Sequence, residues 1–236
     1  SEMCIRDRRK MTRKKLSDLS RALLTSAVCL LPILPGLLLL PSLPEQVATH
    51  FDASGVPDGW MPKLSAVVMI PAFMALINLF CHAALHFDPR KQGQSGALRT
   101  AVLWFCPVLC VVLQAATLVY VLGVPVPISL VCCLTVGVLF VIIGNYLPKC
   151  RLNYTMGIRT PWTLSSEENW NKTHRLGGKL WVAAGLLIVV CGFFSLRGEV
   201  GGELAFVFML IAVALASLIP VGYSLWLYQK EKKREK

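Results

Sequence analysis

The residues that could carry chemistry concentrate in the stretch Gly144–Gly178, which lies between two long apolar runs. His174 follows Glu167 and Glu168 there, and a histidine with nearby carboxylates could act as a general base. The alternative is structural: Ser165 caps a short helix, Glu168 reaches back in a capping box, and His174 bonds locally. We favour the structural assignment, and we predict no catalytic residue and no enzyme.

Two other groups have residue types that can bind metals. His50, Asp52 and Asp58 lie in one turn-rich stretch, and His82 and His86 lie four residues apart on one face of a predicted helix. The first group is typical of turn-forming side chains, and the second of a histidine pair near a membrane interface. The nine cysteines form neither a C-x-x-C motif nor a cysteine–histidine cluster at zinc spacing. We predict no metal site and no cofactor.

The basic and aromatic residues of the same stretch favour recognition over catalysis. Arg159 directly precedes the turn-forming pair Thr160–Pro161, and its guanidinium could hold a carboxylate or a lipid phosphate in a forked contact. Trp162 and Trp170 could supply buried anchors for a protein partner. Two interpretations stay open on these grounds: an interfacial helix whose bases meet anionic lipid, and a partner-binding loop.

The elements that must position these residues are membrane spans. The 236 residues are 55% hydrophobic and 16% charged, with a mean hydropathy of +0.61, whereas about a quarter of a soluble domain is charged. The apolar residues form six runs near the length of a membrane span. These runs are 22–43, 65–87, 100–123, 128–147, 180–196 and 204–228. We therefore predict an all-α, polytopic helical membrane protein with about six transmembrane helices.

The distribution of charge predicts an orientation. The net charge of +11 comes mostly from the two ends of the chain and from the 144–178 loop, whereas the predicted outer loops carry only Lys63 and Arg197. The positive-inside rule then places both termini and the 144–178 loop in the cytoplasm. Because this cause is sufficient, we predict no direct nucleic-acid binding. No charged residue lies near the centre of a span, which disfavours a proton-coupled pump; Asn78 and Gln114 are expected to bond between helices.

The predicted spans divide the chain into five parts. These are a basic cytoplasmic N-terminus at 1–21, of which 1–10 is interpreted as non-native; a two-span domain at 22–87 with an outer loop at 44–64; a cytoplasmic linker at 88–99; a four-span domain at 100–228; and a basic cytoplasmic tail at 229–236. Asp52–Gly55 and Pro57–Gly59 predict turns in the outer loop. Gly177–Gly178 is expected to loosen the backbone before the fifth span.

Two stretches resemble known families. N-Y-L-P-K followed by N-Y-T-M-G-I-R-T-P-W-T-L-S-S-E-E-N-W-N-K-T-H-R-L-G-G-K resembles the signature of the SdpI family of bacterial immunity and signalling membrane proteins. The cytoplasmic recognition loop that we predict there comprises Asn145, Pro148, Lys149, Asn153, Gly157, Arg159, Thr160, Pro161, Trp162, Thr163, Trp170, His174, Gly177 and Gly178. H-F-x-x-x-G-x-P-D-G-W resembles a small domain of unknown function often found before such a region. The outer ligand loop that we predict from it comprises Pro44, His50, Phe51, Gly55, Pro57, Asp58 and Trp60.

The resemblance to the SdpI family implies a function. It implies a multi-pass protein of the bacterial plasma membrane that protects against a membrane-active peptide toxin and signals by recruiting a transcriptional repressor. The implied partners are membrane lipid, a peptide toxin outside and a repressor protein inside. One alternative is a small transporter or lipid-handling protein, which would show a polar path or a lipid-headgroup cavity between spans. Another is a membrane enzyme that uses the 144–178 loop.

Overall fold

The computed structural model describes residues 18–90 and 94–234. Within them, six helical segments are long and apolar enough to cross a membrane. They are Asp18–Ser42, Lys63–Phe87, Gly96–Val121, Ile128–Lys149, Glu167–Arg197 and Glu199–Arg234. The prediction of a polytopic helical membrane protein is confirmed. Predictions that concern residues 1–17, 91–93 and 235–236 lie outside the described residues.

The chain enters the bundle through α1 (18–30) and α2 (Ile33–Leu39), which are separated at Pro32. The following elements are β1 (Gln46–Phe51), β2 (Pro57–Pro62), α3 (Lys63–Phe87), α4 (Gly96–Val121), α5 (Ile128–Tyr146), α6 (Pro161–Ser165), α7 (Glu167–Gly192) and α8 (Glu199–Arg234). Short 3-10 helices follow α2, α5 and α7, at Leu40–Ser42, Leu147–Lys149 and Phe193–Arg197.

The outer loop contains a β-hairpin that the all-α prediction did not include. β1 and β2 pair antiparallel, with Val47 opposite Met61 and His50 opposite Gly59. The predicted turn between them is confirmed: the Asp52 carboxylate accepts hydrogen bonds from the backbone N–H groups of Ser54 and Val56, both at 2.9 Å. The bond from the Ser54 hydroxyl, together with these backbone bonds, holds the pKa of Asp52 below its usual value. The second predicted turn, Pro57–Gly59, was wrong, because these residues form the first half of β2. The prolines and glycine of β2 are unusual in a strand, and they favoured the prediction of a turn.

Polar side chains join the first helices of the bundle. Asn78 on α3 donates from Nδ2 to the carbonyl oxygen of Leu103 on α4, at 2.8 Å, and accepts from the Thr25 hydroxyl on α1 at 2.8 Å. Gln114 on α4 donates to the carbonyl oxygen of Ala66 on α3 at 3.1 Å. The prediction that Asn78 and Gln114 bond between helices is confirmed, and such bonds stabilise helix association where no water competes.

Helices α5 and α7 are packed backbone to backbone. A Cβ atom added to Gly185 would lie 2.5 Å from the carbonyl oxygen of Gly137, and one added to Gly178 would lie 2.7 Å from that of Gly144. The two glycine pairs, Gly137/Gly185 and Gly144/Gly178, form what we name the glycine seam. Small residues permit such close approach, which is a common way for helices to associate in membranes. The seam holds α5, which leads into the 144–178 loop, against α7, which begins inside that loop.

Two local predictions for the 144–178 loop were wrong. Helix α7 begins at Glu167 with Ser166, not Ser165, as its N-cap; the Ser166 hydroxyl accepts from the Asn169 N–H at 3.2 Å, and Glu168 pairs with Lys172. Gly177–Gly178 does not loosen the backbone, because α7 continues through both glycines into the fifth span. The glycines instead bring α7 close to its neighbours, a packing role that overrides their low helix propensity.

Candidate functional site at the 144–178 loop

The 144–178 loop, hereafter the signature loop, lies at the end of the bundle where α3 ends, and the hairpin lies at the end where α3 begins. Asn153, fully buried, organises its first half. The Asn153 carbonyl oxygen accepts from the backbone N–H groups of Thr155 at 2.9 Å and Met156 at 2.7 Å, and its amide donates to the Arg151 carbonyl at 2.9 Å. One side chain thus satisfies three backbone groups, which gives this segment a fixed path.

His174 and Trp170 connect the loop to α7. Both are fully buried, and their rings stack with centroids 4.0 Å apart. The His174 ring accepts from the Ile158 N–H at Nε2, at 3.0 Å, and donates from Nδ1 to the Trp170 carbonyl, at 2.8 Å. The Trp170 indole N–H donates to the Cys150 carbonyl at 2.8 Å. Both ring nitrogens of His174 are thus bonded to the backbone, as the structural assignment expected, and neither is left to act as a general base.

Gly157 completes this contact because no larger residue fits there. Its φ angle of +102° is in the region that favours glycine, and an added Cβ would lie 2.3 Å from Nε2 of His174. The prediction that Gly157 permits a positive φ is confirmed.

Threonines at the start of α6 join the loop to α8. Thr160 and Thr163 form a capping box: the Thr160 hydroxyl accepts from the Thr163 N–H at 3.1 Å, and the Thr163 hydroxyl accepts from the Thr160 N–H at 2.9 Å. The Thr160 hydroxyl also lies 3.3 Å from that of Ser224 on α8, and Asn169 donates to the Ser224 carbonyl at 2.9 Å. The end of the loop is therefore fixed on the last helix.

Asp88, just after α3, holds the front helices to the signature loop. Its side chain is buried, and Oδ2 accepts from the Tyr154 N–H at 3.1 Å and from the Thr155 hydroxyl. The guanidinium of Arg90 lies 5.1 Å from the centre of the Tyr154 ring. Burial disfavours the charged carboxylate, but the hydrogen bonds outweigh it and hold the pKa of Asp88 below its usual value. We name this contact the Asp88 latch.

The recognition-loop residues fall into a buried set and an outward set. The buried residues are Asn153, Thr160, Thr163, Trp170, His174, Gly177 and Gly178, and the exposed ones are Asn145, Pro148, Lys149, Gly157, Arg159 and Pro161. Trp162 is half-buried, whereas Trp170 fills the chain's own core and is not available to a partner. Arg159 donates to the Tyr154 carbonyl and stays exposed. The outward surface is therefore basic, with Trp162 at its margin.

The outer-loop residues form one surface of the hairpin. Pro44, His50, Asp58 and Trp60 are exposed, whereas Phe51, Gly55 and Pro57 are half-buried. His50 pairs with Asp58, and the Phe51 ring meets that of Tyr120 on α4 edge to face, with centroids 5.3 Å apart. Among the described residues, no group of three or more His, Cys, Asp or Glu side chains could hold a metal ion.

Sequence reasoning did not identify Asp88, Asn169 or Ser224 as parts of the site. Asp88 follows the apolar run of α3 and precedes a proline, so it was assigned to a linker. Ser224 is a single hydroxyl in an apolar span, and it carries no sequence signal of its own. Asn169 lies inside the signature, and a buried asparagine four residues before Thr173, with which it bonds at 3.0 Å, could have been noticed from helical spacing.

Replacing His174 by phenylalanine tests the structural assignment. The aromatic ring and its contact with Trp170 are kept, but the Ile158 N–H loses its partner. The Trp170 carbonyl loses the bond from the ring and keeps its helical bond. Each buried group left unsatisfied costs about 1–3 kcal/mol. We expect a lower apparent melting temperature in detergent and faster proteolysis within the signature loop. Arg175→Ala, at the exposed neighbouring position, is the control; equal behaviour of the two variants would contradict the assignment.

Comparison with known proteins identifies the family of this chain. The model of the SdpI/YfhL protein family matches residues 149–224, and the model of a domain of unknown function, DUF1648, matches residues 27–75. The protein called Immunity protein SdpI from Bacillus subtilis (strain 168) is 30% identical over 203 residues, which cover 86% of this chain and 93% of the relative. No solved structure gives a significant match. The chain, with its six apolar helices and its signature loop, belongs to the SdpI family and is a multi-pass protein of the bacterial plasma membrane.

Proposed function

We propose that this protein gives its bacterial cell immunity to a membrane-active peptide toxin. The observation that carries the proposal is the 30% identity to a relative called an immunity protein, which extends over 93% of that relative. The similarity includes both the hairpin and the signature loop, because it covers 86% of the present chain. Both candidate surfaces thus lie within the aligned region.

The hairpin is the proposed toxin-recognition surface. Trp60 and Val56 expose 57% and 42% of their surface on it, next to the polar His50–Asp58 pair. An exposed tryptophan beside polar groups suits a peptide that is itself partly apolar. The end of the bundle that carries the hairpin has few basic residues, which supports its placement outside the cell.

The signature loop is the proposed intracellular surface that recruits a repressor. Its outward face is basic through Lys149 and Arg159, whereas its buried residues fix the backbone beneath them. A rigid basic surface suits a partner with a complementary acidic patch. The Asp88 latch supports a connection between the two ends, because it ties the helix that follows the hairpin to this loop.

Survival of toxin-treated cells tests the recognition surface. A sensitive bacterium that expresses the wild type is expected to keep its membrane potential and viability. Cells that express the double variant Val56→Ser, Trp60→Ser should be killed. Loss of an interface anchor costs about 2 kcal/mol or more, which corresponds to a loss of affinity of at least roughly thirtyfold. The toxin dose that halves survival should fall accordingly. Expression level and membrane insertion are checked by blotting membrane fractions.

Two further variants complete this experiment. Val124→Ser removes another exposed valine, 52% exposed between α4 and α5 at the same end of the bundle, and should keep full protection. Arg159→Ala should also keep protection but leave a tagged cognate repressor in the cytoplasm after toxin treatment. Killing of the wild type at confirmed membrane levels would refute immunity to the toxin used, and equal protection by the hairpin variant would refute recognition by the hairpin.

A further inference from the structure

A cavity opens between α1, α3 and α4 at the signature-loop end of the bundle. Its volume is about 430 Å³, within the range of roughly 300–1,000 Å³ that small-molecule sites occupy. The side chains that give it its chemistry are Asp18, Leu19, Leu79, His86, Phe87 and Arg99. Neither the hairpin nor the signature loop contributes a residue to its lining, so the cavity is separate from both surfaces of the proposed immunity function.

One end of the cavity carries opposite charges side by side. The Asp18 carboxylate lies 3.2 Å from Nη2 of Arg99, and its other oxygen lies 3.9 Å from Nδ1 of His86. Asp18 and Arg99 each keep 18% of their side-chain surface exposed. A carboxylate has about four acceptor positions and a guanidinium five N–H donors, so the pair can bind further groups without separating. These residues lie at the ends of membrane-spanning helices, where lipid headgroups are found.

The apolar part of the lining faces outward from the bundle. Leu19, Leu79 and Phe87 expose 57%, 44% and 78% of their surface, respectively. Leu79 lies two helical turns before Phe87 on α3, so the apolar wall runs from the charged end along the helix toward the interior of the membrane. His82, also in the lining, is bonded to the Thr25 hydroxyl at 2.9 Å and is held in place within the protein.

We propose that this cavity binds a membrane phospholipid whose headgroup carries a phosphate and a primary ammonium. The ammonium donates to Asp18, the phosphate accepts from Arg99 and His86, and one acyl chain runs from Leu19 along Leu79. An anionic headgroup without an amine would leave Asp18 beside a like charge. A quaternary ammonium would keep the charge but has no N–H to donate, so the carboxylate selects against it.

Native mass spectrometry of the full-length protein tests the proposal. The protein is purified from lipid nanodiscs that contain equal amounts of phosphatidylethanolamine, phosphatidylcholine and phosphatidylglycerol with identical acyl chains. We expect the wild type to retain the ethanolamine lipid roughly tenfold over each of the others, because a hydrogen bond to a charged group is at stake. Equal retention of the three lipids would overturn the proposal.

Variants connect the preference to the cavity. Asp18→Ala removes the acceptor and should abolish the preference for ethanolamine over choline. Ala83→Phe fills the cavity without changing any charge and should lower retention of the ethanolamine lipid to the level of the other two. Ala72→Phe, at an exposed position of α3 outside the cavity lining, is the matched control and should behave as the wild type. Ala83→Phe tests the cavity even if the Asp18 variant fails to fold. If Ala83→Phe keeps the preference for the ethanolamine lipid, the lipid binds elsewhere and the assignment is refuted.

Discussion

Gly185→Ala is expected to lower the stability of the protein by about 1–3 kcal/mol, the usual cost of forcing extra atoms into a packed interior. The added Cβ would lie 2.5 Å from the Gly137 carbonyl oxygen and 2.8 Å from the Val141 amide nitrogen, and both are backbone atoms. No rotamer change can relieve such a contact. Helices α5 and α7 must therefore move apart, which would also displace the signature loop that joins them.

The change should be visible as a drop in apparent melting temperature and as a lower yield of monodisperse protein in detergent. A loss of 1 kcal/mol corresponds to about 2–4 °C for a chain of this size, so we expect a decrease of roughly 6–12 °C for a cost near the upper end of the range.

Gly222→Ala is the matched control for the glycine seam. Gly222 also lies inside a membrane-spanning helix, but a Cβ added there meets no atom within 4 Å. Alanine has the higher helix propensity, so this variant should be neutral or more stable by up to about 1 kcal/mol. If Gly185→Ala were as stable as Gly222→Ala, the close packing of α5 against α7 would be refuted.

The close contact at the glycine seam could be predicted from the sequence, but the pairing of its glycines could not. Gly178 and Gly185 are seven residues apart on α7, and Gly137 and Gly144 have the same spacing on α5. Such spacing places small residues on one face of each helix and predicts a close helix–helix contact. The partner of each glycine could not be read from the spacing, because the register of two antiparallel helices depends on the loop between them.

The sequence located the signature loop but did not indicate which of its residues are buried and which are exposed. Its unusual residues marked it as functional and as a family signature, but roughly half of them prove to be buried supports. Trp170, considered as an anchor for a partner, bonds to the carbonyl oxygen of Cys150 inside the protein. His174, considered as a general base, bonds to the backbone at both nitrogens. Residue type alone could not distinguish these roles, because a buried support and a recognition residue draw on the same polar and aromatic side chains.

The Asp88 latch could not be predicted from the sequence, for a different reason. Asp88 accepts from Tyr154 and Thr155, which lie 66 and 67 residues further along the chain. No local pattern reports a contact over that distance. A proline follows Asp88 and basic residues follow the proline, so the segment is typical of a short cytoplasmic linker. The buried carboxylate makes this linker a point where the front helices contact the signature loop.

Asp88→Asn is expected to release this contact. An amide is neutral and has one acceptor oxygen in place of two. Oδ1 of Asp88 also accepts from the Arg90 N–H at 2.8 Å, so the groups at one of the two oxygen positions lose their acceptor, and the bonds that remain no longer involve a charge. A buried hydrogen bond to a charged group contributes about 1.5–3 kcal/mol. We expect a lower melting temperature and faster proteolysis at Tyr154 and Thr155. Asp52→Asn is the control, because Asp52 also accepts backbone N–H bonds but lies in the hairpin at the other end of the bundle. A signature loop as protease-resistant in Asp88→Asn as in the wild type would refute the latch.

The dependence on pH distinguishes the Asp88 charge from a general packing defect. The pKa of Asp88 is lower in the folded protein than its usual value, so the folded state favours the ionised form. Its contribution to stability is full above the ordinary aspartate pKa of about 3.9 and is lost as the pH falls through the lowered folded value. The gap in melting temperature between the wild type and Asp88→Asn should therefore be constant near neutral pH and shrink below about pH 4. If the difference in melting temperature stays unchanged down to pH 3, the charge of Asp88 does not contribute to stability. The Asp88 latch would then be a packing contact that does not weaken when the carboxylate is protonated.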